Sequence, residues 1–294
     1  MQLKTIRKNM EMKLNQWLET ITDEALREKL KSKILVSGGS ITSLFLNEKV
    51  NDYDVYIMDH DVLVELAKYY TAPFGNIIKI LDGQKKDLLR SDAPDNGIYA
   101  VSVANLKSDQ VKLYFEEKNG GMKVNEDKEQ GKFEYFPVFF SPNAISLSDD
   151  IQIVLRFHGD AETIHKTFDF IHATNYFTFN DGLVTNKSAL ESILTKQLKY
   201  QGSLYPLTTI IRTKKFIKKG WNITAGEMLK VMFQISELNL KNPDVLEDQL
   251  IGVDVAYFAS LIEILRGVPE EKFNSEYINA IIDKVFDGAE ETED

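Results

Sequence analysis

Two short segments near the start of the chain carry the residues best suited to chemistry. Val36-Ser37-Gly38-Gly39-Ser40 is followed, eleven residues later, by Asp52-Tyr53-Asp54-Val55. Residues two apart on a strand point to the same side, so Asp52 and Asp54 would present two carboxylates together. Such a pair repels itself unless a cation sits between. It suits Mg²⁺ or Mn²⁺, hard ions that share their shell between a few carboxylates, water and substrate phosphate. The glycine turn supplies the complementary half of a phosphate site. Gly38 and Gly39 let backbone amides approach phosphate oxygens, and a valine at Gly39 is expected to block that approach and lower nucleotide affinity. The following helix directs its positive end at the same place, and Ser40 adds a hydroxyl donor. Metal at one end and amides at the other would align a nucleoside triphosphate for attack on its α-phosphorus.

These residues need a strand, a tight turn, a helix and a second strand to position them. Lys33-Ile34-Leu35-Val36 reads as a buried strand, Ile41 to Leu46 as a helix, and Val50 to Met58 as a strand. Upstream, Met10, Leu14, Trp17, Leu18 and Ile21 fall at helical spacing within Lys4 to Lys31, which predicts one or two helices. Downstream the pattern predicts a helix over Asp61 to Tyr70. Strands follow over Gly97 to Val103, Val111 to Glu116, Phe133 to Phe140, Ile151 to Phe157 and Phe168 to Tyr176, with an exposed loop from Glu117 to Gly131. After about Asn180 the signals turn to helix starts and stops. Ser188 with Glu191, Thr224 with Glu227 and Asp244 with Glu247 read as capping pairs, Pro206 as a first helical residue and Gly220 as a stop. Further helices are expected over Val255 to Leu265 and Glu270 to Val285, before an acidic tail.

The glycine turn and the Asp-x-Asp strand at this interval resemble the signature of the polymerase-beta nucleotidyltransferase superfamily, which includes poly(A) polymerases and CCA-adding enzymes. The motif region carries the resemblance, together with the strand order and the helical second half, and there is a loose likeness to phage-encoded members. Ser37 departs from the signature, standing where an apolar residue is usual, although a register shifted to Gly39-Ser40 also fits. The resemblance implies an α/β nucleotidyltransferase palm with a mixed β-sheet over residues 1–182, followed by an all-helical domain over 183–294, with the active cleft between them. It implies Asp52 and Asp54 as catalytic metal ligands, ATP or another NTP as substrate, and an RNA acceptor such as a tRNA-like end.

Enzymes of the superfamily add a third carboxylate from a neighbouring strand. Asp169 is the chosen candidate, because Phe168-Asp169-Phe170-Ile171 places one acid inside an apolar strand pattern, a costly location unless it is paired or metal-bound. Glu116 and Glu134 are rivals. For triphosphate and base, the region to search is Ser192 to Gly226, which holds no acidic residue but carries Lys196, Lys199, Arg212, Lys214, Lys215, Lys218 and Lys219. Arg212, Lys215 and Lys219 share a helix face. The loop Tyr200-Gln201-Gly202-Ser203-Leu204-Tyr205 adds aromatic faces and the Ser203 hydroxyl.

Composition bounds these readings. The 294 residues suffice for one large or two modest domains, and 43% apolar with 27% charged is an ordinary globular balance. A formal charge of −10 argues against a surface coated for gripping long nucleic acid, although the local basic segment can still focus an anion. Without cysteine there are no disulfides, thiolate metal sites or thiol nucleophiles. No run approaches the roughly 20 apolar residues of a membrane helix, and no secretory signal is legible, so a cytoplasmic protein is expected. His158, His165 and His172 recur every seven residues and read as structural histidines. The competing functional readings are a retired nucleotide-binding protein on the same fold and a transferase acting on protein or a small molecule.

Overall fold

The computed structural model describes residues 2–75, 77–86, 89, 102–103, 106–115, 121–124, 135–240 and 242–249, with isolated positions 267, 276, 279 and 280. Expectations for 97–101, most of the 117–131 loop, Glu116, Glu134, the helices beyond 250 and the acidic tail lie outside them. The chain divides into two compact units, one of Met1–Thr167 with Ile171–Thr195, the other of Phe168–Phe170 with Lys196–Asp294.

In the first unit, α1 (Leu3–Thr20) buries Ile6, Met10, Leu14, Trp17 and Leu18, one stripe at three- and four-residue steps. Helix α2 (Glu24–Lys33) starts where Asp23 accepts from the Leu26 amide. Strand β1 (Ile34–Ser37), α3 (Gly39–Leu46), β2 (Tyr53–Ile57) and α4 (His60–Thr71) follow, close to the sequence expectation. Trp17 Nε1 donates to the Tyr70 hydroxyl at 2.8 Å in the core, joining α1 to α4. The remaining strands of this unit are β3 (Ile78–Asp82), β4 (Val111–Phe115), β5 (Met122–Lys123), β6 (Pro137–Ser141), β7 (Ala144–Leu147), β8 (Ile151–Val154), β9 (Tyr176–Thr178) and β10 (Gly182–Val184). Among the described residues this unit also holds the α-helices α5 (Ala161–His165) and α6 (Lys187–Thr195).

Eight strands form one sheet in the order β10-β9-β1-β2-β8-β7-β6-β5, while β3 and β4 pair separately. The large sheet is mixed, since β2 and β8 run parallel and the other pairs antiparallel. Registered partners share a face. Phe177, Val36, Val55, Ile153, Ile145 and Phe140 make one such row, and all are fully buried. Each contributes about 1.5–3 kcal/mol by leaving water. The next row, on the opposite face, runs Asp54, Gln152, Ser146, Phe139, Lys123. Alternation along the strands thus assigns one face to the core and leaves the other for polar groups.

The strand expected over Phe168 to Tyr176 does not form. Phe170 makes an isolated bridge to Tyr200, Ile171–Ala173 is a 3₁₀ turn, and β9 begins only at Tyr176. Side chains take the carbonyls a ladder would use: Thr174 Oγ1 donates to Ile171 O and Thr42 Oγ1 to His172 O.

The second unit holds β11 (Gln197–Leu198), α7 (Pro206–Lys218), β12 (Asn222–Ile223), α8 (Ala225–Ser236) and α9 (Pro243–Gln249). Because β11 and β12 pair in parallel, the described part of this unit is not all helical. Helix α6 ends at Thr195 instead of reaching Gly202, because Lys196 turns left-handed at φ 48°. Asn186 rather than Ser188 caps its start, accepting from the Ser188 amide. Pro206 opens α7, and Thr224 caps α8 through the Glu227 amide, both as expected. Among the described residues no helix is long and apolar enough to cross a membrane.

Candidate active site

The first unit brings the glycine turn to the Asp-x-Asp strand. Gly38, at φ 99° and ψ −149°, caps the start of α3. Only glycine adopts this backbone without strain. A Cβ placed on Gly38 would lie 3.1 Å from Asp54 Oδ2, whereas one on Gly39 would meet nothing within 4 Å. Gly38 is therefore the position whose backbone and surroundings oppose a side chain. The Gly38 amide donates to Ala173 O, which closes the turn. Ser40, 3% exposed, has its Oγ buried without a hydrogen-bond partner beside this turn. An orphaned hydroxyl at a helix N-terminus, next to a carboxylate that a side chain on Gly38 would crowd, fits a phosphate and its cation.

Ser37 is explained by the same geometry. It is fully buried at the end of β1, with its Oγ within 3.1 Å of Ala173 O and 2.9 Å of both Asn175 O and His165 Nε2. A hydroxyl here fastens the base of the turn, which an apolar residue could not do. Burial holds His165 down at about 4 and His172 at about 3, so both are neutral at pH 7.

Asp54 is half-buried within β2, and Asp52 lies exposed immediately before it. Gln152 is in register with Asp54 on the parallel neighbour β8 and donates to Ser146 Oγ at 3.4 Å. Next to Asp52 opens a cavity of about 550 Å³, lined among others by Lys123, Ser146, Asp149, Asp150 and Gln152. Sequence reading missed Gln152, because only strand register brings it opposite Asp54. Among the described residues no group of three or more His, Asp or Glu is arranged to hold a metal ion.

The other predicted site residues lie in the second unit, where several converge. Asp169, 4% exposed, accepts from Ser203 Oγ and from Arg212 Nη1, each at 2.6 Å. Ser203 Oγ also accepts from the Tyr205 amide. Tyr200 is 7% exposed, edge-on to Phe170, with its hydroxyl given to Gln234. Burial, reinforced by the charge of Asp169, pushes that hydroxyl up to about 12. Lys196 ends α6, while Lys215 and Lys219 are exposed on and just after α7. Arg212→Gln leaves the Asp169 carboxylate with Ser203 alone. The guanidinium is 42% exposed, which weakens the pair, so the expected loss is about 1–3 kcal/mol. Scanning calorimetry checks this: an unchanged melting profile would show that the pair adds nothing.

These features define a mixed-sheet α/β protein in which the glycine-led start of a helix abuts a strand carboxylate. The family model for Gabija anti-defense 2 proteins matches residues 8–196, and the chain belongs to that family. A relative from Bacillus phage SPbetaL7, "Gabija anti-defense 2", is 22% identical over 268 residues, covering 90% of this chain and 52% of its own. The chain thus spans about half the length of that curated relative. Among solved structures, the Bacillus stearothermophilus CCA-adding enzyme in complex with CTP matches 86% of this chain and 51% of its own at 11% identity and a TM-score of 0.39. The Thermotoga maritima CCA-adding enzyme complexed with tRNA matches 93% and 67% at 14% identity and a TM-score of 0.37.

Proposed function

We propose that this chain transfers a nucleoside monophosphate from an NTP to a hydroxyl acceptor and releases pyrophosphate. The observation that carries the reading is the close approach of Gly38 to the Asp54 carboxylate. It joins in space the two segments that the sequence separates. Asp52 and Asp54 are the residues to hold Mg²⁺ or Mn²⁺, which when bound would polarise the α-phosphate and acidify the attacking hydroxyl. The amides opening α3 and the Ser40 hydroxyl receive the phosphates, where the helix dipole favours negative charge. The cavity beside Asp52 lies towards β8, on the other side of β2 from β1 and its turn, and receives the acceptor. An RNA end or a hydroxyl on a protein or small molecule would enter there. In this reading Asp169 acts through Arg212: its charge is already balanced, and it fixes a guanidinium able to meet an anionic ligand together with Lys196 and Lys215.

Gln152 favours a second reading. The register partner of Asp54 on β8 is a neutral amide where another carboxylate would strengthen a metal site, and this suits a protein that binds nucleotide without turning it over. One experiment separates the two. The protein is incubated with each labelled NTP, Mg²⁺ or Mn²⁺, and either total RNA or host protein extract. Labelled acceptor with pyrophosphate release supports transfer, binding without release supports the second reading, and no NTP binding removes both.

A further inference from the structure

Away from the glycine turn, three segments of the first unit bring two histidines and a carboxylate together. His60 is the first residue of α4, Asp82 the last of β3, and His158 lies between β8 and α5. The two imidazole rings are 4.8 Å apart between centroids, at 63°. His60 Nε2 meets Asp82 Oδ1 at 2.9 Å, and both side chains are only 9% exposed. Asp82 is itself fixed, with Oδ1 accepting from the Gln84 amide and Oδ2 lying 3.7 Å from Lys85 Nζ. An ionised carboxylate only accepts, so His60 gives its Nε2 proton to Asp82, and in the neutral ring Nδ1 carries a lone pair. The Nδ1 atoms of His60 and of His158 are both buried with no hydrogen-bond partner. Buried polar atoms are normally satisfied, so each of these two nitrogens, on rings that touch, calls for a partner such as a water or an ion.

We propose that His60 and His158 bind a divalent cation of the imidazole-preferring class, for which Zn²⁺ is the probe, with Asp82 as the positioning carboxylate. Two features favour an ion over a water. A ligating histidine usually donates its other ring nitrogen to a carboxylate, the arrangement found at His60 and Asp82. Two imidazoles suit Zn²⁺, Ni²⁺ or Cu²⁺, whereas the all-oxygen pair Asp52 and Asp54 suits Mg²⁺. With two protein nitrogens, water completes the shell, so binding is weaker than in a closed four-ligand site.

The test uses the full chain freed of metal by chelator dialysis, titrated calorimetrically with Zn²⁺ in excess Mg²⁺ to keep the carboxylate pair occupied. One Zn²⁺ per chain is expected. His158→Gln and His60→Gln should each weaken binding at least tenfold, and Asp82→Asn roughly 10–100-fold, while Asp52→Asn leaves it unchanged. Wild-type protein loaded with Zn²⁺ should also show imidazole nitrogen ligation by X-ray absorption, a readout that does not depend on the variants folding. Absence of Zn²⁺ binding, affinity unchanged in both histidine variants, or an all-oxygen shell would overturn the proposal.

Discussion

Asp52→Asn and Asp54→Asn should each lower nucleotide transfer by roughly a hundredfold or more, the scale seen when one group that stabilises transition-state charge is removed. Folding should survive. Asp52 is exposed and Asp54 half-buried, and replacing either carboxylate with an amide of nearly the same shape relieves repulsion between neighbours. The two effects are read separately, by initial rates of labelled nucleotide incorporation and by a thermal melt. Melting at the wild-type temperature or above, with transfer lost, assigns the carboxylates to chemistry. Rates within a few-fold of wild type in both variants would remove them from it.

The second large effect contrasts adjacent glycines. Gly38→Ala forces a side chain into a left-handed backbone and places its methyl group 3.1 Å from the Asp54 carboxylate. The strain alone costs about 1–3 kcal/mol, and Asp54 must move or the turn must reshape. NTP affinity and transfer should both fall steeply. Gly39→Ala occupies the first turn of α3 with nothing within 4 Å of the new methyl, so it should be neutral or stabilise by up to about 1 kcal/mol. Parallel melts and NTP titrations decide the matter. If Gly39→Ala were as damaging as Gly38→Ala, the phosphate contact would lie along Gly39 and not at the turn above Asp54.

How far the fold could be read from the chain depends on the distance over which each element is specified. Helix α1 was legible because five apolar residues repeat within one stretch, α7 because Pro206 presets its own φ at the first helical position, and α8 because Thr224 accepts from the Glu227 amide three residues on. The strand–turn–helix around Gly38 was legible for the same reason. The stretch from Phe168 to Tyr176 was misread because its composition is strand-like, while its carbonyls are taken by Thr42 and Thr174, one of them far away in the sequence. Asp169 drew notice correctly as an expensive acid, but its partners Ser203 and Arg212 come from the second unit's own packing. Gln152 and the His60, Asp82 and His158 cluster were invisible, since only strand register and segment crossing assemble them.

The place of β1 in the sheet bears on how the chain is made. It is flanked by β2, which follows closely in sequence, and by β9, whose pairing residues are Tyr176 to Thr178. During synthesis β1 therefore waits with one edge bare until residues 176–178 have left the ribosome, an arrangement that invites wrong pairing. The Gly38 amide waits as well, for the carbonyl of Ala173. A chain halted before that point can have both carboxylates and both glycines in place and still lack the bond that sets the turn, so the proposed phosphate turn is fastened late, only once Ala173 has been made.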